Sequence, residues 1–271
     1  MHFLKSSLWC NTMENTIILK FGGASVASPE SFSHISEIII ERKKLYKNVV
    51  VVVSAMGDTT DELITLAHKV NPNPPRREFD MLISVGERIS ISLLAMALAA
   101  KNVEAVSFTG SQTGIITTNE NGNAKIIDVK PKRLLPCLEE GKIVIVAGFQ
   151  GMSTGGDITT LGRGGSDTTA VALAVALEAD KVEFFKDVLG VYDKDPKNNS
   201  DAKLCSFLNY DETLKIILAG AQVLHARCVS MAKKNNIKLH VLCFNEYNNI
   251  NSGTIIFSTE KNEPPVCKYE N

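Results

Sequence analysis

Short, wholly apolar runs recur along the chain, and segments long enough to form helices separate them. Runs that are apolar on both faces are typical of strands in a mostly parallel sheet that helices cover on both sides. The alternation therefore predicts an α/β fold, a three-layer sandwich around a mostly parallel central sheet. The clearest predicted strands are Ile17–Leu19, Val49–Val53, Ile143–Val146, Val182–Phe185 and Leu239–Leu242.

Three of the intervening segments predict helices. Pro29–Lys44 begins with proline, which suits a first helical turn, and ends in a basic triplet, which suits the negative end of the helix dipole. Gly86–Lys101 and Ser166–Ala179 are so apolar that we expect both helices to be buried. Asn119–Asn123 is predicted to form the turn of a hairpin.

Composition narrows the classes of partner. The 271 residues carry 29 basic and 30 acidic side chains, so the net charge of −1 gives no general attraction to nucleic acid or an anionic membrane. No unbroken run of about eighteen apolar residues occurs, so we expect no membrane span. Six scattered cysteines predict free thiols in a reducing cytoplasm, and the first fifteen residues lack the pattern of a signal peptide.

The most informative local feature is the string Thr159–Ala170, TTLGRGGSDTTA, between a predicted strand and a predicted helix. Its glycines let the main chain approach an anion, and the helix that follows presents N–H groups and a positive dipole end. Arg163 suits a forked pair with a carboxylate or phosphate, whereas Asp167 would repel an anion unless it held a cation or oriented a donor. A helix cap is the structural alternative for Asp167. The mixture indicates phosphoryl transfer involving a small anionic molecule.

Lys20 ends the first predicted strand and stands directly before Phe21, Gly22 and Gly23. A lysine there reaches a phosphate while the glycine amides cradle it, and its charge offsets the negative charge that spreads over the transferred oxygens. A lysine that extends from a strand end into solvent is the structural alternative.

The Thr159–Ala170 string resembles that of the aspartokinase branch of the amino-acid kinase family. Five further segments resemble the family's motifs and occur in its order between about Thr16 and Phe257: KFGGAS at 20–25, VSAMG at 53–57, LISVGER at 82–88, DVLGVY at 187–192 and VLH at 223–225. The resemblance implies ATP-dependent phosphorylation of the L-aspartate side chain to 4-phospho-L-aspartate, the first step of lysine, threonine and methionine biosynthesis. It also implies ATP with Mg²⁺ held mainly by the phosphates, and a homodimer or higher homo-oligomer.

The resemblance assigns roles on the acceptor side. Lys20 contacts the transferred phosphoryl group in the transition state, and Asp167 orients Lys20 or another cation. Glu87 binds the substrate ammonium group, although the helix dipole alone also favours a carboxylate at that helix start. Arg163 pairs with a substrate carboxylate. The other predicted acceptor-site residues are Thr60, Gly164, Gly165 and Ser166.

On the nucleotide side, Asp187 and Tyr192 follow a buried strand, the usual place for ligand contacts in an open α/β sheet. Three positions depart from the family's pattern: Lys186 stands where threonine is frequent, Lys197 replaces an arginine, and Gln222 replaces a lysine. The change at Gln222 removes a positive charge unless Lys186 or Lys197 supplies it. The full set of predicted nucleotide-binding residues is Phe21, Gly22, Gly23, Ser25, Lys186, Asp187, Tyr192, Lys197 and Gln222.

We predict one kinase domain over residues 16–258, after an N-terminal extension at residues 1–15. Its N-lobe, about 16–155, takes the acceptor, and its C-lobe, about 156–258, takes the nucleotide. Residues 259–271 form a polar tail that we expect to be too short to fold. Because aspartokinases commonly continue into regulatory domains, we expect those domains to be absent and leave open a separate regulatory subunit.

Two other functions stay open. A kinase of another small acid, such as glutamate, acetylglutamate or carbamate, would have the same fold, and Glu87 and Arg163 count against it. A catalytically weak or silent amino-acid-binding subunit would be favoured if Lys20 or Asp167 were missing, and both are present.

Overall fold

The computed structural model describes residues 15–196, 199–246, 251–258 and 267–270. These residues form an eight-stranded sheet and a smaller four-stranded sheet, with short 3₁₀ turns at Gly23–Val26 and Phe244–Glu246. In chain order the described strands and helices are β1 (Thr16–Phe21), α1 (Pro29–Leu45), β2 (Asn48–Val53), α2 (Thr59–Val70), α3 (Arg76–Ile83), α4 (Val85–Ala99), β3 (Ala105–Phe108), α5 (Gly110–Thr113), β4 (Ile115–Thr117), β5 (Ile126–Val129), α6 (Leu134–Glu139), β6 (Ile143–Ala147), β7 (Gln150–Ser153), β8 (Ile158–Thr160), α7 (Gly165–Ala176), β9 (Lys181–Lys186), β10 (Phe207–Leu208), α8 (Tyr210–Leu218), α9 (Ala226–Asn235), β11 (Leu239–Cys243) and β12 (Thr254–Ile256).

The large sheet confirms the predicted α/β fold. Its strand order is β10-β12-β11-β9-β1-β2-β6-β3, and every neighbouring pair is parallel except β11 with β12. All five predicted strands are present as β1, β2, β6, β9 and β11, and they are neighbours in this sheet. The small sheet has the order β5-β4-β7-β8, and its antiparallel β4–β5 pair is the predicted hairpin around residues 119–123.

Helices cover both faces of the large sheet, and the alternation of side chains along each strand decides which face a residue joins. On β1, Ile17 and Leu19 pack among residues of α1 and α4. Ile18 lies in the second core cluster, together with most of α7 and with residues of α9. Lys20 is two residues after Ile18, so its side chain points to the α7 side of the sheet.

The helix α4 is less buried than its composition predicts. It buries one stripe against the sheet, including Ile91, Leu94 and Leu98, but Ile89 is 41% exposed and Met96 is 66% exposed. Residues 76–99, which combine α3 and α4, are long and apolar enough to cross a membrane by length and composition, with 44% of the most apolar window buried. From the lack of an unbroken apolar run, the sequence alone predicts no segment that could span a membrane. Because α3 ends and α4 begins at Ser84, and α4 packs on the sheet, a core helix explains this stretch.

A buried ion pair joins α1 to β9. Arg42 Nε lies 2.6 Å from Glu183 Oε2, and neither side chain is more than 3% exposed. Lys181 Nζ approaches the other carboxylate oxygen to 2.7 Å. The pair fixes α1 against β9, which is a direct neighbour of β1 in the large sheet.

We expect the substitution Arg42→Met to lower the free energy of unfolding by about 3 kcal/mol. Removing one partner of a buried pair typically costs about 3–5 kcal/mol, and Lys181 still faces Glu183 in this variant. Urea denaturation at neutral pH measures the change. Lys44→Met, which removes the exposed pair with Glu41, is the matched control and should cost less than about 1 kcal/mol. Equal effects of the two variants would contradict the structural role of Arg42.

Candidate active site

A cavity of about 490 Å³ lies at the carboxyl ends of β1 and β2, next to the first turn of α7. Ligands of open α/β sheets bind at this edge, because the strands end there and loops and helix N-termini converge. Its lining residues are Lys20, Gly23, Ser54, Ala55, Gly57, Thr60, Asp61, Ile64, Glu87, Phe149, Gly162, Arg163, Gly164, Gly165, Ser166 and Asp167.

The glycine loop, residues 162–165, forms one wall of this cavity. Gly162 and Gly164 have φ angles of +72° and +69°, which side-chain-bearing residues rarely adopt. A Cβ on Gly164 would also lie 2.3 Å from the Cβ of His225, so the loop packs too closely for any other residue. At its start, Thr160 donates from its main-chain N–H and its hydroxyl to the buried carboxylate of Asp80.

Three charged side chains meet at the floor of the site. Lys20 Nζ lies 2.6 Å from Asp167 Oδ1, and both side chains are less than 10% exposed. Lys186 Nζ lies 3.3 Å from Asp167 Oδ2. The strand register explains this meeting: Val182 and Phe184 of β9 face the α7 side, and Lys186 follows them with the same parity. Two cations therefore share one carboxylate in the first turn of α7.

Burial and the neighbouring charges shift the pKa values of Lys20 and Asp167. Burial lowers the pKa of Lys20, and Asp167 opposes this effect while Lys186 adds to it. Burial alone would raise the pKa of Asp167, but the two lysines outweigh it and hold the pKa below its ordinary value. Asp167 thus stays ionised, and the net charge of the three groups favours an anion beside them.

Glu87 places a second carboxylate inside the cavity. It lies in the first turn of α4 with 3% of its surface exposed, and its Oε1 accepts a hydrogen bond of 3.0 Å from the Ala55 N–H. Its buried Oε2 has no hydrogen-bond partner in the described part of the chain. Burial raises the pKa of Glu87 to about 7, although hydrogen bonds from main-chain amides and the charge of Lys20 work against the shift. A buried oxygen in this state suits a cationic ligand group.

The structure brings the predicted catalytic and acceptor-site residues together. All eight of them line this one cavity: Lys20, Thr60, Glu87, Arg163, Gly164, Gly165, Ser166 and Asp167. Arg163 is exposed at the cavity wall, whereas Ser166 and Asp167 are buried beneath it.

The predicted nucleotide-binding residues are not gathered in the same way, and their roles stay predictions. Gly23 alone among them lines the cavity. The Phe21 side chain is fully buried and stacks on Phe185, with 4.7 Å between ring centroids, and the Ser25 hydroxyl donates to the Phe185 carbonyl. Of the others, Gly22 adjoins Lys20, Lys186 contacts Asp167, Asp187 and Gln222 are exposed, Tyr192 is half-buried, and Lys197 lies outside the described residues.

Three further residues of the cavity had no sequence prediction. Ile64 lies four residues after Thr60 on α2, so helical spacing from Thr60 would have identified it. Asp61 directly follows Thr60, a spacing that does not place two side chains on one helix face, so spacing from Thr60 would not have identified it. Phe149 stands between β6 and β7 with a φ of +68°, a strained conformation for a residue with a side chain. Nothing in its sequence context signals that conformation.

A protein-held metal centre does not appear in the part of the chain that the structure describes. No group of three or more acidic, histidine or cysteine side chains there is placed to hold a metal ion. The described cysteines are free thiols, namely Cys137, Cys205, Cys228, Cys243 and Cys267, as the sequence predicts.

Comparison with known proteins identifies the family of the chain. The sequence matches the amino acid kinase family over residues 15–243. The chain belongs to this family. It is 53% identical to the aspartokinase of Mycolicibacterium smegmatis over 226 residues, which cover 83% of this chain and 54% of that protein. The chain thus spans about half the length of the curated relatives it matches.

Solved structures of family members share the fold. The aspartate kinase from Synechocystis is 39% identical, with a TM-score of 0.81 over 93% of this chain and 41% of that one. E. coli aspartokinase III in complex with aspartate and ADP is 26% identical, with a TM-score of 0.81 over 91% of this chain and 65% of that one. The likeness in fold therefore extends over more than nine tenths of this chain.

We expect Glu87 to titrate in the free protein with a pKa of about 7, well above its ordinary value, because burial penalises the ionised form. A carbon-13 NMR titration of the glutamate carboxyl groups measures this value, and the spectrum of Glu87→Gln assigns the signal. A Glu87 signal that titrates with the exposed glutamates, near about 4.3, would contradict the buried environment.

Proposed function

We propose that the chain catalyses ATP-dependent phosphorylation of the side-chain carboxylate of L-aspartate, which yields 4-phospho-L-aspartate and ADP. The observation that carries this proposal is the mixed charge of the cavity. Lys20, Asp167 and the α7 N-terminus form an anion-binding floor, while Glu87 and Arg163 add one negative and one positive group at its sides. The similarity to aspartokinases supports the same reaction.

The acceptor groups of the cavity complement L-aspartate in sign and number. Its ammonium group suits the unpaired Oε2 of Glu87, and its α-carboxylate suits Arg163. Thr60 and Ser166 supply hydroxyl groups beside them. The side-chain carboxylate is then free to face Lys20. Glutamate is one methylene longer, and acetylglutamate lacks the ammonium group, so both fit these groups less well.

The transfer step needs charge stabilisation more than proton transfer. An oxygen of the substrate side-chain carboxylate forms a bond to the γ-phosphorus of ATP, and the bond from that phosphorus to the β–γ bridging oxygen breaks. The electron pair leaves with ADP. Because the attacking carboxylate is already ionised, the step requires no general base. Lys20 neutralises charge on the transferred oxygens, and Asp167 holds Lys20 in place.

The nucleotide is proposed as ATP with Mg²⁺, the metal being held mainly by phosphate oxygens. The main chain at Gly22 leaves room for a phosphate beside Lys20, since a Cβ there would already lie 3.4 Å from Lys20 Nζ. E. coli aspartokinase III binds aspartate and ADP in one of its crystal structures, which supports this choice. Lys186, which contacts Asp167, would supply toward the nucleotide the positive charge that Gln222 lacks.

We also propose the lobe arrangement, assembly and location that the sequence predicts. Residues 16–155 form the acceptor lobe and residues 156–258 the nucleotide lobe, in a cytoplasmic homodimer or higher homo-oligomer. The described free cysteines and the net charge of −1 are consistent with this setting.

We expect ATP turnover with L-aspartate, and at least tenfold less with glutamate or acetylglutamate, in a coupled assay of ADP release. Lys20→Ala should lower kcat by about 10²–10³-fold, because it removes a charge that acts mainly in the transition state. Lys101→Ala is the matched control, since its exposed pair with Glu37 lies outside the cavity. Turnover with another acid alone would replace aspartate as the acceptor, and normal turnover in folded Lys20→Ala would refute the role of Lys20.

We expect Arg163→Ala to raise the KM for aspartate by about 10- to 100-fold, as loss of a charged hydrogen bond implies. The KM for ATP should change less than about twofold, because the proposed partner of Arg163 is the α-carboxylate of aspartate. Arg163→Lys keeps the charge but loses the fork, so an intermediate KM is expected. Initial-rate measurements with each substrate varied in turn check this, and equal changes for both substrates would place Arg163 on the nucleotide side.

A further inference from the structure

The last described residues, 267–270, pack against the domain, which corrects the prediction that the polar tail at residues 259–271 is too short to fold. The composition of the tail hid the one apolar anchor that these residues contain. Tyr269 is only 8% exposed and belongs to the core cluster that contains α7. The Lys268 carbonyl accepts a 2.8 Å hydrogen bond from Asn235 at the end of α9. Glu270 pairs with Ile126 of β5 in both directions, since its N–H donates to the Ile126 carbonyl and its Oε2 accepts from the Ile126 N–H. These contacts bring the Glu270 carboxylate to the start of α9.

At this point Glu270 meets Arg227, in the first turn of α9. Arg227 Nε lies 2.6 Å from Glu270 Oε1, and Arg227 Nη2 lies 3.0 Å from Glu270 Oε2. The same guanidinium donates to the carbonyls of Ala124 and Leu161 and to the Asn123 side chain. All five of its N–H donors have acceptors, and two of the contacts are to the Glu270 carboxylate.

The Leu161 carbonyl is the important acceptor, because the glycine loop begins at the next residue. Gly162 follows in its left-handed conformation, and Arg163 comes directly after it. The Leu161 side chain is fully buried in the core, and its N–H donates to the Phe149 carbonyl. The Leu161 carbonyl, in contrast, is held by Arg227. Arg227 therefore ties the start of the loop to the 123–124 turn, and Glu270 neutralises and orients Arg227 from behind.

We propose that Glu270 is a positioning residue for the acceptor site: through Arg227 and the Leu161 carbonyl, it fixes the glycine loop and hence Arg163. Glu270 itself does not line the cavity. Without its carboxylate, the guanidinium loses two charge-assisted hydrogen bonds and is free to turn away from Leu161. The loss of this contact should therefore raise the KM for aspartate and leave the KM for ATP nearly unchanged. This kinetic part of the inference rests on the proposed function, whereas the effect on the loop does not.

The test compares Glu270→Ala with Lys268→Ala, a control in the same segment whose side chain takes no part in the contact. In Glu270→Ala we expect the KM for aspartate to rise about tenfold, as a small displacement of a substrate-binding group implies. The KM for ATP should stay within about twofold of the wild-type value. Hydrogen–deuterium exchange of peptides covering residues 158–168 should be faster in the free variant. Lys268→Ala should match the wild type in all three measurements.

The exchange measurement uses the unliganded protein, so it decides the structural part even if aspartate is not the substrate. Unchanged exchange and unchanged KM in folded Glu270→Ala would overturn the inference. Equal rises in both KM values, with a lower melting temperature and faster exchange throughout, would also overturn it, because Glu270 would then act on stability alone. If the alanine variant does not fold, Glu270→Gln provides the same comparison with the side-chain volume retained.

Discussion

The buried contact between Lys20 and Asp167 is the interaction on which the rest of the site depends. Lys20 lies in the last part of a central strand and Asp167 in the first turn of a buried helix, so the pair requires the sheet and α7 to be in their final places. Burial disfavours both charges, and each is kept by the other. Lys186 gives the cluster one positive charge in excess, which an arriving phosphate is suited to neutralise. An enzyme that stabilises spreading negative charge needs such a preformed electrostatic environment more than it needs acid–base groups.

Much of this arrangement follows from sequence because it depends on simple periodicities. The five apolar runs are strands since both of their faces are covered, and Lys20 faces α7 because it is two residues from Ile18. The acceptor residues come together because loops after parallel strands meet at one edge of the sheet. Their proposed role as an acceptor site came from the resemblance to a family, because spacing alone left helix caps and strand ends as alternatives.

The remaining parts depend on long-range contacts that no local pattern reports. Phe149 lines the cavity through a strained main-chain conformation, and Arg227 reaches Glu270 across 43 positions of the chain. The apolar composition of α4 predicted full burial, but a helix on the outside of a three-layer fold needs only one apolar stripe. Among the predicted nucleotide-binding residues, Lys186 and Gln222 could be seen in the sequence to depart from the family's pattern. The contact of Lys186 with Asp167 could not be predicted, because it depends on the register of β9 in the sheet.

The position of β1 in the sheet has a consequence for how the chain folds. β1 contains residues 16–21, yet one of its two neighbours is β9, which begins at residue 181. During synthesis the N-terminal strand therefore keeps one hydrogen-bonding edge open until most of the domain has been made. The charge cluster has the same dependence, because Lys20, Asp167 and Lys186 cannot meet until residue 186 has been made. Contacts of such large sequence separation favour slow folding, and the cluster of Lys20, Asp167 and Lys186 depends on several of them.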